Sequence, residues 1–294
     1  AVVTDHSDLL GETQMCQNPA LPGYDSWACT LVRRWPKLAY ALINSRYGME
    51  NPSRMSFCGP DAQHCLEAAQ GPWREIQDAA EEFYDRSSSC SFTTFVGYEW
   101  TAMPGMSNIH RNVIFRNERV QEAPTTFVET PSAAGLWADL DASCTERDDG
   151  CDVIAIPHNS NVSQGLMFRI EDDSGKPIGA ALARQRARLE TLIEVTQHKG
   201  DSECRVDGSS RDEFCSYEKL AYANLSGEAM PASDEPLPAR IYAREVLSEG
   251  LVQEARLGGN PFRFGLIGAT DTHFGTPGMV AEDKFVGHAA GTVS

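Results

Sequence analysis

The stretch 264–273, FGLIGATDTH, is the part of the sequence that decides how the rest is interpreted. Its apolar residues and two glycines predict a buried strand rather than a helix. The strand leads into Asp271 and His273, which lie two residues apart, so both side chains should point to one side. A carboxylate and an imidazole together suit a divalent metal ion. For this stretch alone, a solvated turn that holds both residues by chance is the alternative.

The same pattern, an apolar run that ends in acids or histidines, occurs four more times. The runs are 1–6 with Asp5 and His6, 92–99 with Glu99, 153–158 with His158, and 192–198 with Glu194 and His198. Four of the seven histidines therefore close a strand-like run. In barrels of alternating strands and helices, the carboxyl ends of the strands share one face. We therefore predict one metal cluster at that face of an α/β barrel; four separate structural histidines are the alternative.

The composition favours a single large α/β domain. The chain has 294 residues, of which 41% are hydrophobic. We expect one domain over 1–294, with insert loops at 11–30, 45–65 and 200–238. The net charge of −17 argues against nucleic acid or an anionic membrane as partner. No apolar run approaches the ~20 residues that a membrane helix needs, so we expect no membrane span.

Nine cysteines suggest an oxidising compartment, and hence a periplasmic or secreted protein. Eight of them form neighbouring pairs that flank short polar loops. The pairs are Cys16 and Cys29, Cys58 and Cys65, Cys144 and Cys151, and Cys204 and Cys215. Disulfides within these pairs are one connectivity among several that the sequence allows. Cys90 is left over, either as a buried thiol or with a partner outside the chain.

Helical periodicity and capping residues predict five helices. They cover 31–44, bent or split at Pro36, then 72–84, 132–140, 177–189 with its arginines outward, and 240–257. For the last helix we expect Ala243, Leu247, Leu251 and Ala255 to face inward. Between the helices, the segment after Glu99 should turn back as a hairpin into 113–115.

Several polar residues near the strand ends are candidates for substrate contact. Arg111 matches the geometry of phosphate or carboxylate oxygens, and His110 can protonate a leaving group. An arginine at a sheet edge, paired to one of the many acids, is the alternative for Arg111. Asn159 follows His158 and could orient that ring. Two further acids, Asp8 and Glu12, are expected to be solvated or to lie on the substrate side.

Taken in order, the motifs resemble the PHP (polymerase and histidinol phosphatase) superfamily. They are Thr4–His6 (TDH), Gly97–Trp100 (GYEW), Pro157–Asn159 (PHN), Glu194–His198 (EVTQH) and Thr270–His273 (TDTH). The chain looks most similar to a secreted branch of that superfamily that carries a domain of unknown function. The segments 103–112 and 260–268 also resemble that branch, so the resemblance covers nearly the whole chain.

The resemblance implies a distorted (β/α)7 TIM-like barrel that hydrolyses phosphate esters of small molecules with two or three Mn, Zn or Fe ions. The implied metal ligands are His6, Glu99, His158, His198, Asp271 and His273. We assign His110 and Asp5 to catalysis, and Arg111, Asn112 and Asn159 to substrate binding. The superfamily opens with a strand that ends in His-x-His, a motif that is absent here. We therefore expect the chain to lack the first strand of the barrel.

Two other functions remain open from the sequence. Metal-bound hydroxide attacks carbonyl, sulfuryl and phosphoryl centres alike, so the same ligands would serve a lactonase, an amidase or a sulfate-ester hydrolase. The missing His-x-His also allows a metal-binding protein without catalytic activity.

Overall fold

A computed structural model describes residues 1–49, 51–206, 212–220, 222–229 and 238–273. Within them the chain forms seven strands and seven α-helices. The strands are β1 (Val2–Val3), β2 (Phe95–Trp100), β3 (Arg111–Phe115), β4 (Val153–Pro157), β5 (Leu192–Gln197), β6 (Gly200–Asp201) and β7 (Gly265–Gly268). The helices are α1 (Leu10–Gln17), α2 (Trp27–Arg34), α3 (Pro36–Tyr47), α4 (Gln63–Phe83), α5 (Ala133–Leu140), α6 (Ala180–Leu189) and α7 (Ala243–Leu257).

The described strands form two open sheets, so the predicted (β/α)7 barrel is wrong. One sheet has the order β1-β2-β3-β4 and the other has the order β6-β5-β7. Neither sheet closes, and β2–β3 and β5–β6 are antiparallel pairs. A barrel would require each strand to pair on both edges. The polar ends of the apolar runs mark where strands stop, but they carry no information about which edges pair.

The chain divides into two compact units. The first unit comprises Ala1–Met106 and His110–Ile154, and the second comprises Ser107–Ile109 and Ala155–Ser294. We had expected one domain over 1–294.

An aromatic cluster forms the core of the first unit, between helix α4 and the β2–β3 hairpin. The Trp73 ring meets the Tyr98 ring edge-on, with 5.8 Å between centroids, and the Phe115 ring lies 6.2 Å from each of them. The predicted hairpin is confirmed, because Glu99 pairs with Asn112 and Trp100 with Arg111 in antiparallel register. This pairing brings the residues around 110 to the end of β2.

The strand that we predicted from 264–273 is present as β7, but it is not buried. Leu266 is 52% exposed. Strand β7 pairs in parallel with β5 and is the last strand in its sheet among the described residues, so it has one strand neighbour there instead of two. The strand ends at Gly268. Asp271 therefore lies beyond it, with a left-handed backbone angle φ of 47°, and the alternation of a strand does not determine where its side chain points.

The predicted helices are all present, but in α6 and α7 the buried residues differ from those that we expected. The helix around Pro36 is split into α2 and α3, as expected, and α7 ends at Gly258 in the left-handed conformation. The buried residues of α7 are Ala243, Val246, Gly250 and Gln253, so the expected inward face is wrong and Leu251 is exposed.

In α6, the expectation that the arginines face outward is wrong for Arg186. Its side chain is buried, donates to Glu190 at 2.8 Å and lies 4.6 Å from the centroid of the Phe262 ring. The ion pair and the aromatic ring together compensate the cost of burying the guanidinium.

Four disulfides join the neighbouring cysteines in the pairs that the sequence suggested. Cys90 is a free thiol and is exposed rather than buried. Four disulfides are typical of proteins outside the cytoplasm. No helix in the described part of the chain combines the length and the apolar character needed to cross a membrane.

The first expected insert loop, 11–30, is largely helical. It contains most of α1 and the beginning of α2, joined by the Cys16–Cys29 disulfide. Helix α1 lies against α4 at Gly11, where an added Cβ would come within 2.0 Å of the carbonyl oxygen of Cys65. Only glycine allows this close approach of the two backbones.

We predict that Gly11→Ala lowers the free energy of unfolding by about 2–4 kcal/mol, because the methyl group would force α1 away from α4. Gly258→Ala is the matched control. Its φ is 72° but the space around it is open, so the loss should be only about 1 kcal/mol. Urea unfolding under non-reducing conditions measures both values. Equal losses would contradict the close packing at Gly11.

Candidate metal-binding groups

The first candidate group lies in the first unit and consists of His6, Glu99 and His110. His6 follows β1 and pairs with Glu99 of β2 in an isolated parallel bridge. His110 immediately precedes β3. One ligand atom from each of the three side chains lies within 4.8 Å of the others. The hairpin therefore adds to the predicted ligands His6 and Glu99 a histidine that we had assigned to catalysis.

Hydrogen bonds determine which nitrogen of each ring carries the proton. His6 Nδ1 lies 2.8 Å from the Thr101 hydroxyl, which itself donates to the carbonyl oxygen of Glu99 at 3.2 Å. His110 Nδ1 lies 2.6 Å from Glu99 Oε1, and an ionised carboxylate can only accept. Both rings are thus protonated at Nδ1 and carry their lone pair on Nε2. A histidine in this tautomer can bind a metal only through Nε2.

Asp8 binds the backbone next to the first group. Its carboxylate accepts hydrogen bonds from the backbone N–H groups of Phe127, at 2.8 Å, and Thr101, at 3.2 Å. It thereby holds the loop that carries the hydroxyl contacted by His6. Burial raises the pKa of Asp8 to about 7, although the Arg54 guanidinium and the backbone donors oppose this effect.

Glu12 belongs to the same buried polar region. It accepts hydrogen bonds from the Tyr47 hydroxyl at 2.6 Å and from Arg54 at 2.8 Å. Asp8 and Glu12 are both buried, so the expectation that they are solvated or substrate-facing is wrong. They are structural acids with fixed donors.

The alternation of β3 separates two of the three residues that we had assigned to substrate, Arg111 and Asn112. Asn112 lies opposite Glu99, and its side chain shares that face of the sheet. Arg111 lies opposite Trp100, is only 1% exposed, and has its guanidinium 5.6 Å from the centroid of the Trp100 ring. Asp5 is exposed and its backbone carbonyl accepts from Glu99 N–H.

The second candidate group lies in the second unit and consists of His198, Asp271 and His273. Its three ligand atoms also lie within 4.8 Å of one another. His198 directly follows β5, and the other two follow β7, the parallel neighbour of β5. His198 Nε2 is 3.3 Å from Asp271 Oδ2, and His273 Nδ1 is 2.8 Å from the Asp271 carbonyl oxygen.

His158 adjoins the second group from the end of β4. Its Nε2 lies 3.4 Å from Asp271 Oδ1, and its Nδ1 lies 2.7 Å from the side-chain oxygen of Asn159. The expected orienting contact from Asn159 is therefore present. The Nε2 nitrogen faces the Asp271 carboxylate, and the Gln197 amide nitrogen lies 2.9 Å from Nδ1. Glu194 accepts from the backbone N–H of Asn159 at 3.0 Å, and burial raises the pKa of Glu194.

The charge states in the second group suit a cation. Burial, together with the neighbouring Lys199, lowers the pKa of His198 to about 4, so its imidazole is neutral and can act as a ligand. Burial alone would raise the pKa of Asp271, but His158 and Lys199 outweigh it and hold that pKa below its usual range. His198 Nδ1 is buried and has no hydrogen-bond partner within the described ranges.

Two contributors to these groups were not predicted from the sequence. Thr101 orients His6, and Lys199 forms an ion pair with Asp271. Thr101 lies two residues after the predicted strand end at Glu99, and Lys199 directly follows the one at His198, which was the available signal. A third set of possible ligands, Glu12 with Cys58 and Cys65, is excluded because the two sulfurs form a disulfide.

Over residues 1–294 the sequence matches the model of a family described as "Protein of unknown function (DUF3604)". The chain belongs to this family. No curated protein and no solved structure matches the chain. The family description gives no activity, so the resemblance to the PHP superfamily stays a prediction from motifs.

We predict that each group binds a divalent cation and depends on its carboxylate. Asp271→Asn and Glu99→Gln remove the negative charge with little change in shape. Each substitution should weaken the binding of Mn²⁺ or Zn²⁺ at its own group by about tenfold or more. Mutation of residues that only hydrogen-bond to a metal ligand already lowers metal affinity by about 10- to 100-fold. Isothermal titration of chelator-treated protein measures this. His64→Ala, outside both groups, is the control; wild-type affinity in both carboxylate variants would refute the assignment.

Proposed function

We propose that this protein is a metal-dependent hydrolase of phosphate esters. The observation that carries the proposal is the second group, in which a neutral imidazole, an ionised carboxylate and a further histidine converge after two parallel strands. Neutral imidazole and carboxylate are the forms in which these side chains bind metals. The resemblance of the motifs to the PHP superfamily supports phosphate esters as the substrate class.

The donors of both groups are nitrogen and oxygen atoms, which suits Mn, Zn or Fe. A bound divalent cation would lower the pKa of a coordinated water to ~7 and polarise the scissile ester. The chain contributes orientation. Thr101 holds the His6 ring, Glu99 holds the His110 ring, and Asn159 holds the His158 ring, each through Nδ1.

We reassign two residues within this proposal. His110 serves the first group as a ligand rather than as a leaving-group acid, because its Nδ1 proton is committed to Glu99. Arg111 is packed against Trp100 on the opposite face of the sheet from Glu99 and has almost no exposed surface. It supports the fold and does not hold a substrate oxygen.

Lys199 is the better candidate for contact with the anionic substrate. Its ammonium forms an ion pair with Asp271 and is partly exposed. A cation arriving at the second group would compete with this ion pair and free the ammonium to bind a phosphate oxygen. A point charge on a flexible stem suits that contact.

A panel of esters tests the proposed function. Chelator-treated protein is supplied with Mn²⁺, Zn²⁺ or Fe²⁺ and assayed against phosphomonoesters, phosphodiesters, lactones, amides and sulfate esters. We expect metal-dependent release of phosphate, with kcat/KM lowered at least about a hundredfold in Asp271→Asn and Glu99→Gln, as for loss of other electrostatic contributors to catalysis.

His64→Ala should retain wild-type activity in the same assays. Turnover of lactones, amides or sulfate esters alone would assign the protein to another hydrolase class. Tight metal binding without turnover of any ester would favour a metal-binding protein without catalysis.

Lys199→Met should change metal binding and activity in opposite directions. Removing the positive charge beside Asp271 should raise the affinity of the second group for Mn²⁺ about tenfold. The Lys199 ammonium and a cation bound by Asp271 would lie close together and repel each other. The kcat/KM for an anionic phosphoester should fall about tenfold. Lys219→Met, which removes an ion pair with Asp201 in the same unit, is the control. If both quantities fall together, Lys199 supports the group structurally.

A further inference from the structure

The segment Trp27–Met49, which contains α2 and α3, has a charge opposite to that of the chain. It contains four basic residues, Arg33, Arg34, Lys37 and Arg46, and no acidic residue. The whole chain has 42 acids against 25 bases. Charge interactions in physiological salt decay over ~8 Å, so a local patch of this kind acts largely independently of the net charge.

The same segment also concentrates exposed apolar side chains. Three of the five tryptophans, Trp73, Trp100 and Trp137, are buried, and the two exposed ones, Trp27 (70%) and Trp35 (60%), are both here. Leu38, Tyr40, Leu42 and Met49 are also exposed. Residues 33–38, RRWPKL, lie at the junction of the two helices and are all exposed. Three of them are basic and three are apolar.

An open pocket of about 250 Å³ lies between the two helices and the segment that follows them, and the exposed Trp27, Leu42 and Met49 form part of its lining. Its lining is almost entirely apolar and includes Leu31, Ile43 and Phe57, with Arg46 among its few polar residues. An apolar interior with a basic residue suits an amphiphile that has an anionic head and a hydrocarbon chain.

We infer that the α2–α3 segment docks the protein on the surface of a membrane that contains anionic phospholipids. Exposed tryptophan, tyrosine and leucine enter the boundary between headgroups and acyl chains, while lysine and arginine bind the anionic headgroups. Both features are present in this segment, which carries no acidic residue. The docking is peripheral, and it is independent of the metal-binding groups and of the proposed hydrolysis.

Sedimentation with vesicles tests the inference. One set is made of phosphatidylcholine alone, and the other contains about one third phosphatidylglycerol to supply the anionic surface. The intact protein should bind the anionic vesicles at least about tenfold more tightly, and added salt should weaken this preference. The double variant Trp35→Ser/Leu38→Ser should lose most binding to both sets. Arg34→Glu/Lys37→Glu should lose the preference for anionic vesicles.

The matched control is Leu251→Ser/Val252→Ser, which removes two side chains of similar exposure, 66% and 60%, from α7. It should bind as the unchanged protein does. Near-ultraviolet circular dichroism verifies that each variant is folded, and quenching of tryptophan fluorescence by brominated lipid reports contact directly.

Three results would overturn the inference. The first is the absence of any preference of the folded protein for anionic vesicles. The second is an equal loss of binding in the α7 control. The third is binding of dissolved decanoate, or self-association in analytical ultracentrifugation, without vesicle binding, which would assign the surface to a small amphiphile or to a second copy of the chain.

Discussion

Burial of carboxylates is the constraint on which both units depend. An ionised carboxylate loses several kcal/mol of hydration free energy when it is buried. It is therefore buried only where hydrogen-bond donors or positive charges contact it. Glu12 is matched by Tyr47 and Arg54, and Glu190 by Arg186. These partners are permanent, and the resulting networks hold helices and loops in place.

The carboxylates of the two candidate groups are matched differently. Glu99 and Asp271 face imidazole nitrogens, with Lys199 as an additional cation beside Asp271. A neutral imidazole can itself ligate a divalent cation that the carboxylate binds, whereas an arginine has no lone pair to offer. The distinction between permanent and exchangeable partners is the physical basis for separating structural acids from candidate ligands in this chain.

The five strands that we predicted from apolar runs with polar ends are all present, because the tendency of such runs to form strands depends mainly on local composition. The barrel was wrong, because strand pairing depends on which edges meet in space. The position of β7 at the end of its sheet, among the described residues, follows from the same cause. The orientation of Arg186 was missed because a buried arginine requires both an acid and an aromatic ring, and the ring of Phe262 comes from a distant part of the sequence.

The sequence by itself determined where strands end, which donor types stand there, and which cysteines lie close enough along the chain to bond. These properties are local, since they depend on side-chain chemistry within a few residues. The tertiary structure decided that His110 joins Glu99, that Arg111 faces away from it, and that Lys199 meets Asp271. Those outcomes depend on strand register and on contacts between residues far apart in the chain, where a shift of one residue turns a side chain to the opposite face.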